Sequence, residues 1–168
     1  MATLLNHFSV LAGYNRLANA ALYAACAQLS DGERRKTRPA FFHSIHGTLN
    51  HILVGDRIWM GRFEGRAMPS TALDAILYEG MADLRSARAI EDERIEAFVG
   101  RLEAGFLESH MVYTNNAGKP CRDPATLLLA HLFNHQTHHR GQVHDMLSQT
   151  VVPPPSLDMH RLVRPAPV

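Results

Sequence analysis

Between Phe41 and Trp59 the chain places Phe41, Phe42, Ile45, Leu49, Ile52, Leu53, Ile58 and Trp59 on most sides of a helical axis. A helix that is apolar nearly all round has to be buried among other helices. That requirement calls for a bundle. Pro39 suits the first turn of such a helix, because a missing amide proton costs nothing there, and the pattern predicts a helix over residues 39–63. Its partners follow from the same periodicity. Leu4, Phe8, Leu11, Leu22 and Leu29 predict a first helix from Thr3 to about Gln28. Met81 to Leu102 reads as a third, with Leu84, Ala87, Ile95, Phe98, Val99 and Leu102 facing inward. Its charges alternate in sign (Asp83, Arg85, Arg88, Glu91, Asp92, Glu93, Arg94, Glu96), which predicts a broad exposed polar face. Asp123 before Pro124 reads as a capped start to a fourth helix running to about Gln149.

The connections are long. Ser30, Asp31 and Gly32 end the first helix, and Arg34, Arg35, Lys36 and Arg38 read as a solvated connector. Gly65 to Thr71, with Pro69, reads as a loop, and Leu73 to Tyr78 as a short turn. From Gly105 to Arg122 the helical period disappears, and Asn115 to Gly118 form a turn signal, so a small hairpin or extended excursion fits. Pro153, Pro154 and Pro155 leave only Ser156 to Val163 for a further short helix. The expected fold is therefore all-α: a four-helix bundle with long connections and a small extended excursion before the fourth helix, in one domain over residues 1–168.

Composition narrows the partners. Seventeen basic and sixteen acidic side chains leave a formal charge of +1, which gives no electrostatic case for nucleic acid or an anionic membrane. The apolar region from Leu17 to Leu29 is too short to cross a bilayer. Two cysteines, Cys26 and Cys121, do not make a disulfide framework, and no export signal opens the chain, so a cytoplasmic protein is expected.

Histidine is the outlying residue type, present eleven times, with three copies between His43 and His51 and five between His131 and His144. In the fourth helix His135 and His139 share one inward stripe with Leu128, Leu132, Val143 and Met146. Two histidines four apart can direct two imidazole nitrogens at one metal ion. Gln136 stands where the metalloprotease motif has glutamate, so this is not the protease arrangement. A third ligand is available on the second helix as His51, whose face also carries Ser44, Gly47, Thr48, Val54, Gly55 and Ile58. These small residues permit close helix approach or a cavity. His131, at the edge of the stripe, is a fourth ligand or simply a packed neighbour. His138 lies on the flank and His144 on the opposite face, and His43 and His46 fall on another side of their helix from His51.

The stretch LAHLFNHQTHHRGQVHDML from Leu129 to Leu147, the turn TNNAGKP before it, SIHGTLNHILVGDRIWM from Ser44 to Met60 and YNRLANAAL from Tyr14 to Leu22 together resemble the DinB family of damage-inducible proteins. The most specific element is HHRGQ at His138 to Gln142. The resemblance covers nearly the whole chain. It implies a four-helix bundle whose metal site takes one histidine from the second helix and two from the fourth, which on this sequence are His51, His135 and His139. It also implies kinship with thiol-dependent enzymes such as bacillithiol transferases and the mycothiol-dependent maleylpyruvate isomerase.

Three neutral histidines leave a coordination position open on a Zn or Ni ion, the pattern of a catalytic site. A low-molecular-weight thiol bound there as thiolate would make the protein a transferase or conjugating enzyme acting on a small molecule. Metal-bound hydroxide would make it a hydrolase, but no carboxylate shares the His51 or His139 face to act as base. A non-catalytic metal-binding stress protein is the other class. A homodimer is expected as well, since Leu5, Val10, Tyr23, Leu49 and Leu53 exceed what one inward stripe can bury.

Overall fold

A computed structural model describes residues 2–66 and 71–165; residues 67–70 of the expected loop around Pro69 lie outside the described residues. Four long helices, α1 (Ala2–Cys26), α3 (Ile45–Phe63), α4 (Met81–Gly100) and α6 (Ala125–Ser148), form the bundle. Three short ones, α2 (Asp31–Arg35), α5 (Ala104–Glu108) and α7 (Met159–Val163), lie in the connections and the tail. Around the bundle α1 packs on α4 and α6, and α3 packs on the same two, so α3 and α6 are neighbours along their length. The protein is all-α apart from the hairpin of β1 (His110–Thr114) and β2 (Pro120–Pro124), antiparallel with Tyr113 opposite Cys121.

Two apolar clusters fill opposite ends of the bundle. One joins Leu22, Tyr23, Leu49, Ile52, Leu53, Leu84 and Val143; the other joins Phe8, Met60, Ile95, Leu129, Leu132 and Phe133. Between them runs a buried polar layer of Asn15, Asn19, Asp56, Arg88, Asp92, Gln136 and Arg140.

Five sequence expectations need correction. The second helix starts at Ile45 rather than Pro39. His43 takes a left-handed backbone (φ 61°), and the Ser44 side chain accepts from Gly47 N at 2.9 Å, a cap of about 1 kcal/mol that sets the first turn there. The basic connector is partly the short helix α2, capped by Ser30, and Arg34 and Arg38 are buried against Asp31 and Glu33 instead of solvated. Asp123 does not cap α6: it lies in β2, where its Oδ2 accepts from the Tyr113 hydroxyl at 3.0 Å. The polar face of α4 is not all exposed, because Arg88, Glu91 and Asp92 are buried. Lastly, Tyr23, Leu49 and Leu53, expected on faces that one inward stripe cannot satisfy, are buried within the chain.

Candidate metal centre

The site begins where α3 and α6 lie side by side. On α3, three side chains pin the irregular segment 73–78: His46 Nε2 donates to the Tyr78 carbonyl at 3.0 Å, Asn50 Oδ1 accepts from Tyr78 N at 3.0 Å, and His51 Nδ1 donates to the Leu73 carbonyl at 2.7 Å. A carbonyl can only accept, so the His51 proton is on Nδ1 and its Nε2 presents a bare lone pair. The loop before α3 lays Phe42 flat on the His51 ring, 3.7 Å between centroids. On α6, His139 Nδ1 donates to Gln142 Oε1 at 2.8 Å, which leaves its Nε2 bare as well, and Gln142 in turn contacts His138 Nε2 at 3.2 Å.

The structure brings His51, His135 and His139 together. His51 Nε2 lies 3.1 Å from His135 Nε2 and 3.2 Å from His139 Nε2, and ligand atoms of all three fall within 4.8 Å of one another. Gly55 makes this approach possible, since a Cβ at that position would stand 2.7 Å from His135 Cε1. Gly47 serves the adjoining loop, for a Cβ there would strike the Phe42 carbonyl.

Electrostatics distinguish this cluster from an ordinary buried polar network. The bare Nε2 atoms of His51 and His139 face each other at 3.2 Å with no proton between them, and His135 can offer its proton to only one of them. Two opposed lone pairs repel unless a cation sits between. A proton can bridge one such pair; a divalent cation can satisfy all three nitrogens, so the donor set fits a metal ion. Burial, reinforced by the neighbouring imidazoles, pushes His135 down to about 3, and burial pushes His139 down to about 4. Burial also lowers His51. The three imidazoles are therefore neutral at physiological pH, as metal ligands must be.

The remaining histidines stand aside. His131 is exposed, with its ring 5.2 Å from Trp59 and 6.0 Å from His135, outside the converging set. His138 is exposed, and His144 bonds the Pro155 carbonyl in the tail. His46 is buried and structural.

A cavity of about 430 Å³ opens onto the cluster, with His51, His135, Gly55, Ile58, Trp59 and Tyr113 among its walls. Among the described residues its lining carries no carboxylate, in keeping with the sequence expectation.

Sequence reasoning did not anticipate the charged layer directly behind the histidines. Asp56 Oδ2 accepts from Arg88 Nη1 and Gln136 Nε2. Arg140 Nη1 donates to Asn15 Oδ1, and to Gln136 Oε1 at 3.2 Å. Asp92 Oδ1 accepts from Asn15 at 3.1 Å and Asn19 at 2.9 Å and pairs with Arg88 at 3.0 Å. Burial raises the Asp56 carboxyl above its ordinary range, against the pull of Arg88. The signal was present in the spacing: Asn15 and Asn19, Arg88 and Asp92, Gln136 and Arg140 are each four apart, on the inward side of three helices.

Residues 1–167 match the DinB family. The chain belongs to that family. Protein DinB of Bacillus subtilis (strain 168) is 25% identical over 142 residues, covering 81% of each chain. The match spans both α3 and α6, so the family region includes the whole histidine cluster.

Proposed function

We propose that this DinB-family protein is a divalent-metal-dependent enzyme, with His51, His135 and His139 as ligands to Zn or Ni, that transfers or conjugates a low-molecular-weight thiol to a small-molecule electrophile. The observation that carries the reading is the convergence of three neutral imidazoles, of which His51 and His135 line an open cavity, with no fourth protein ligand in the set among the described residues. A structural site would be closed by a fourth side chain.

When bound, the ion supplies the positive charge that keeps a thiol ionised at neutral pH. The chain's own residues do the rest. Leu73 O and Gln142 fix the His51 and His139 tautomers, so both Nε2 atoms point at the same place. Phe42 shields one face of His51 from water. Ile58, Trp59 and Tyr113 offer apolar wall to the organic part of a substrate. Hydrolysis is the weaker reading, because it needs a base and the cavity lining offers no carboxylate.

Incubation of metal-loaded protein with panels of thiols and electrophiles tests the reading. Turnover that needs both thiol and metal supports it; turnover surviving complete metal removal overturns it. For assembly we propose a homodimer through Phe41, Leu73 and Ile76, which are exposed side by side on one groove. Light scattering checks it, with a mass near twice 18.7 kDa expected and one near 18.7 kDa contradicting it.

A further inference from the structure

Arg62 stands in the last turn of α3, on the wall of the cavity that also holds His51 and His135. It lines a second, larger hollow of about 790 Å³ formed with Arg66, Thr114 and Asn116, so it sits at the junction of the two. Its guanidinium lies over the Trp59 ring at 4.6 Å and the Tyr113 ring at 4.9 Å. Only Nη2 is tied down, donating to Thr114 O at 3.1 Å and Asn116 Oδ1 at 2.9 Å.

Its neighbours are spent differently. Arg57 pairs with Glu91, Arg66 with Glu64, and Arg94 with both acids. Among the described residues no carboxylate pairs with Arg62, and its Nε and Nη1 enter no hydrogen bond. Burial works against its charge, and among the described residues no carboxylate stands near enough to offset it. The two aromatic faces hold the cation in place without neutralising it.

We propose that Arg62 binds a carboxylate of the substrate, so that the small molecule held beside the histidines is a carboxylic acid. The planar fork matches a carboxylate, and a charge-assisted bond made by this half-buried guanidinium is stronger than one between neutral groups. Asn115 and Asn116, which line the same cavity, supply amides around the acid group. The inference rests on the cavity being the substrate site, as proposed above, but not on the metal.

Trp59 is the chain's single tryptophan, and Arg62 lies on its ring, so its fluorescence reports directly on this subsite. Metal-free protein is titrated with 3-mercaptopropionate and propionate, and with the corresponding primary amides. The acids should give saturable changes at concentrations about tenfold lower than the amides, the scale of one charged hydrogen bond. Arg62→Gln should abolish the preference. Because Arg62 also clamps the hairpin, circular dichroism checks the fold. Arg62→Lys, which keeps the charge and loses the fork, should weaken acid binding several-fold and leave amide binding unchanged.

Equal binding of acid and amide to the native protein, or a preference that persists in Arg62→Gln or is undiminished in Arg62→Lys, overturns the proposal. Failure of the metal centre is seen separately, as absence of bound metal, and leaves these titrations intact. Repeating them with Zn-loaded protein distinguishes the source of the carboxylate. Tighter binding of the mercaptoacid alone assigns it to the thiol; unchanged binding of both acids assigns it to the electrophile.

Discussion

Two polar clusters occupy the middle of the same bundle, and they are built on adjacent residues of the same helices. Asp56, Gln136 and Arg140 belong to the buried charged layer; Gly55, His135 and His139 precede them one by one and belong to the histidine cluster. The layer is held together by opposite charges. Its two aspartates and two arginines cancel in charge, and the asparagines and glutamine pass hydrogen bonds between them. The histidines have no opposite charge to face: lone pairs meet lone pairs at the edge of a cavity, and His135 Nδ1 is buried without a hydrogen-bond partner among the described residues. Ion pairs and hydrogen bonds that reach from helix to helix hold the bundle in register. Converging lone pairs with no counter-charge are a donor set that suits a cation.

Perturbing each cluster should therefore have unequal consequences. Asp56→Ala leaves Arg88 charged and buried with only Asp92 of its two carboxylate partners, and strips Gln136 of its acceptor, so the loss of stability should be about 3 kcal/mol, read from denaturant unfolding of the metal-free protein. His135→Ala removes a lone pair and an unpartnered nitrogen from a strained group, so metal-free stability should change by no more than about 1 kcal/mol. Comparable losses from both substitutions would erase the distinction.

A smaller effect sharpens the comparison. Gln142→Ala should leave the fold intact and weaken metal affinity by about 10- to 100-fold, since it frees His139 to rotate and change tautomer. Isothermal titration with Zn measures it, and an unchanged affinity would show that the Gln142 contact is incidental.

Acid should act in the same direction as these substitutions. In the unfolded chain the histidines titrate near about 6.5, and in the fold His135 and His139 are pushed down to about 3 and about 4. Between those limits the unfolded state binds more protons. The contribution of these groups is thus fully present above about pH 6.5 and is lost progressively as the pH falls, towards about 4 for His139 and about 3 for His135. Melting temperatures of metal-free protein should fall over that window, and less steeply in the double variant His135→Ala, His139→Ala. Metal should be released over the same range as protons compete for the imidazoles.

The histidines were legible in the sequence because a four-residue spacing on a strongly periodic helix fixes a face with little ambiguity. The third came from α3 by the same logic, helped by Gly55, whose missing Cβ is what admits His135. The charged layer escaped the sequence reading because alternating charges on α4 look like a solvated face until the partner helices are known. Arg88 and Asp92 are inside only because Asn15, Asn19, Asp56, Gln136 and Arg140 come from three other helices to meet them. The start of α3 was misjudged for a local reason, as Pro39 offers a plausible first turn while the left-handed His43 and the Ser44 cap set the start at Ile45, six residues later. Nor could periodicity show that the irregular segment 73–78 supplies the carbonyl that sets the His51 tautomer, a contact spanning 22 residues.

The central claim is that the incomplete cluster is completed by one divalent ion. Elemental analysis of protein purified without a histidine tag, after dialysis against limiting Zn, measures it directly. One metal ion per chain is expected in the native protein, and substoichiometric metal in each of His51→Ala, His135→Ala and His139→Ala. Full occupancy retained after loss of His139, or no metal in the native protein, would contradict the account.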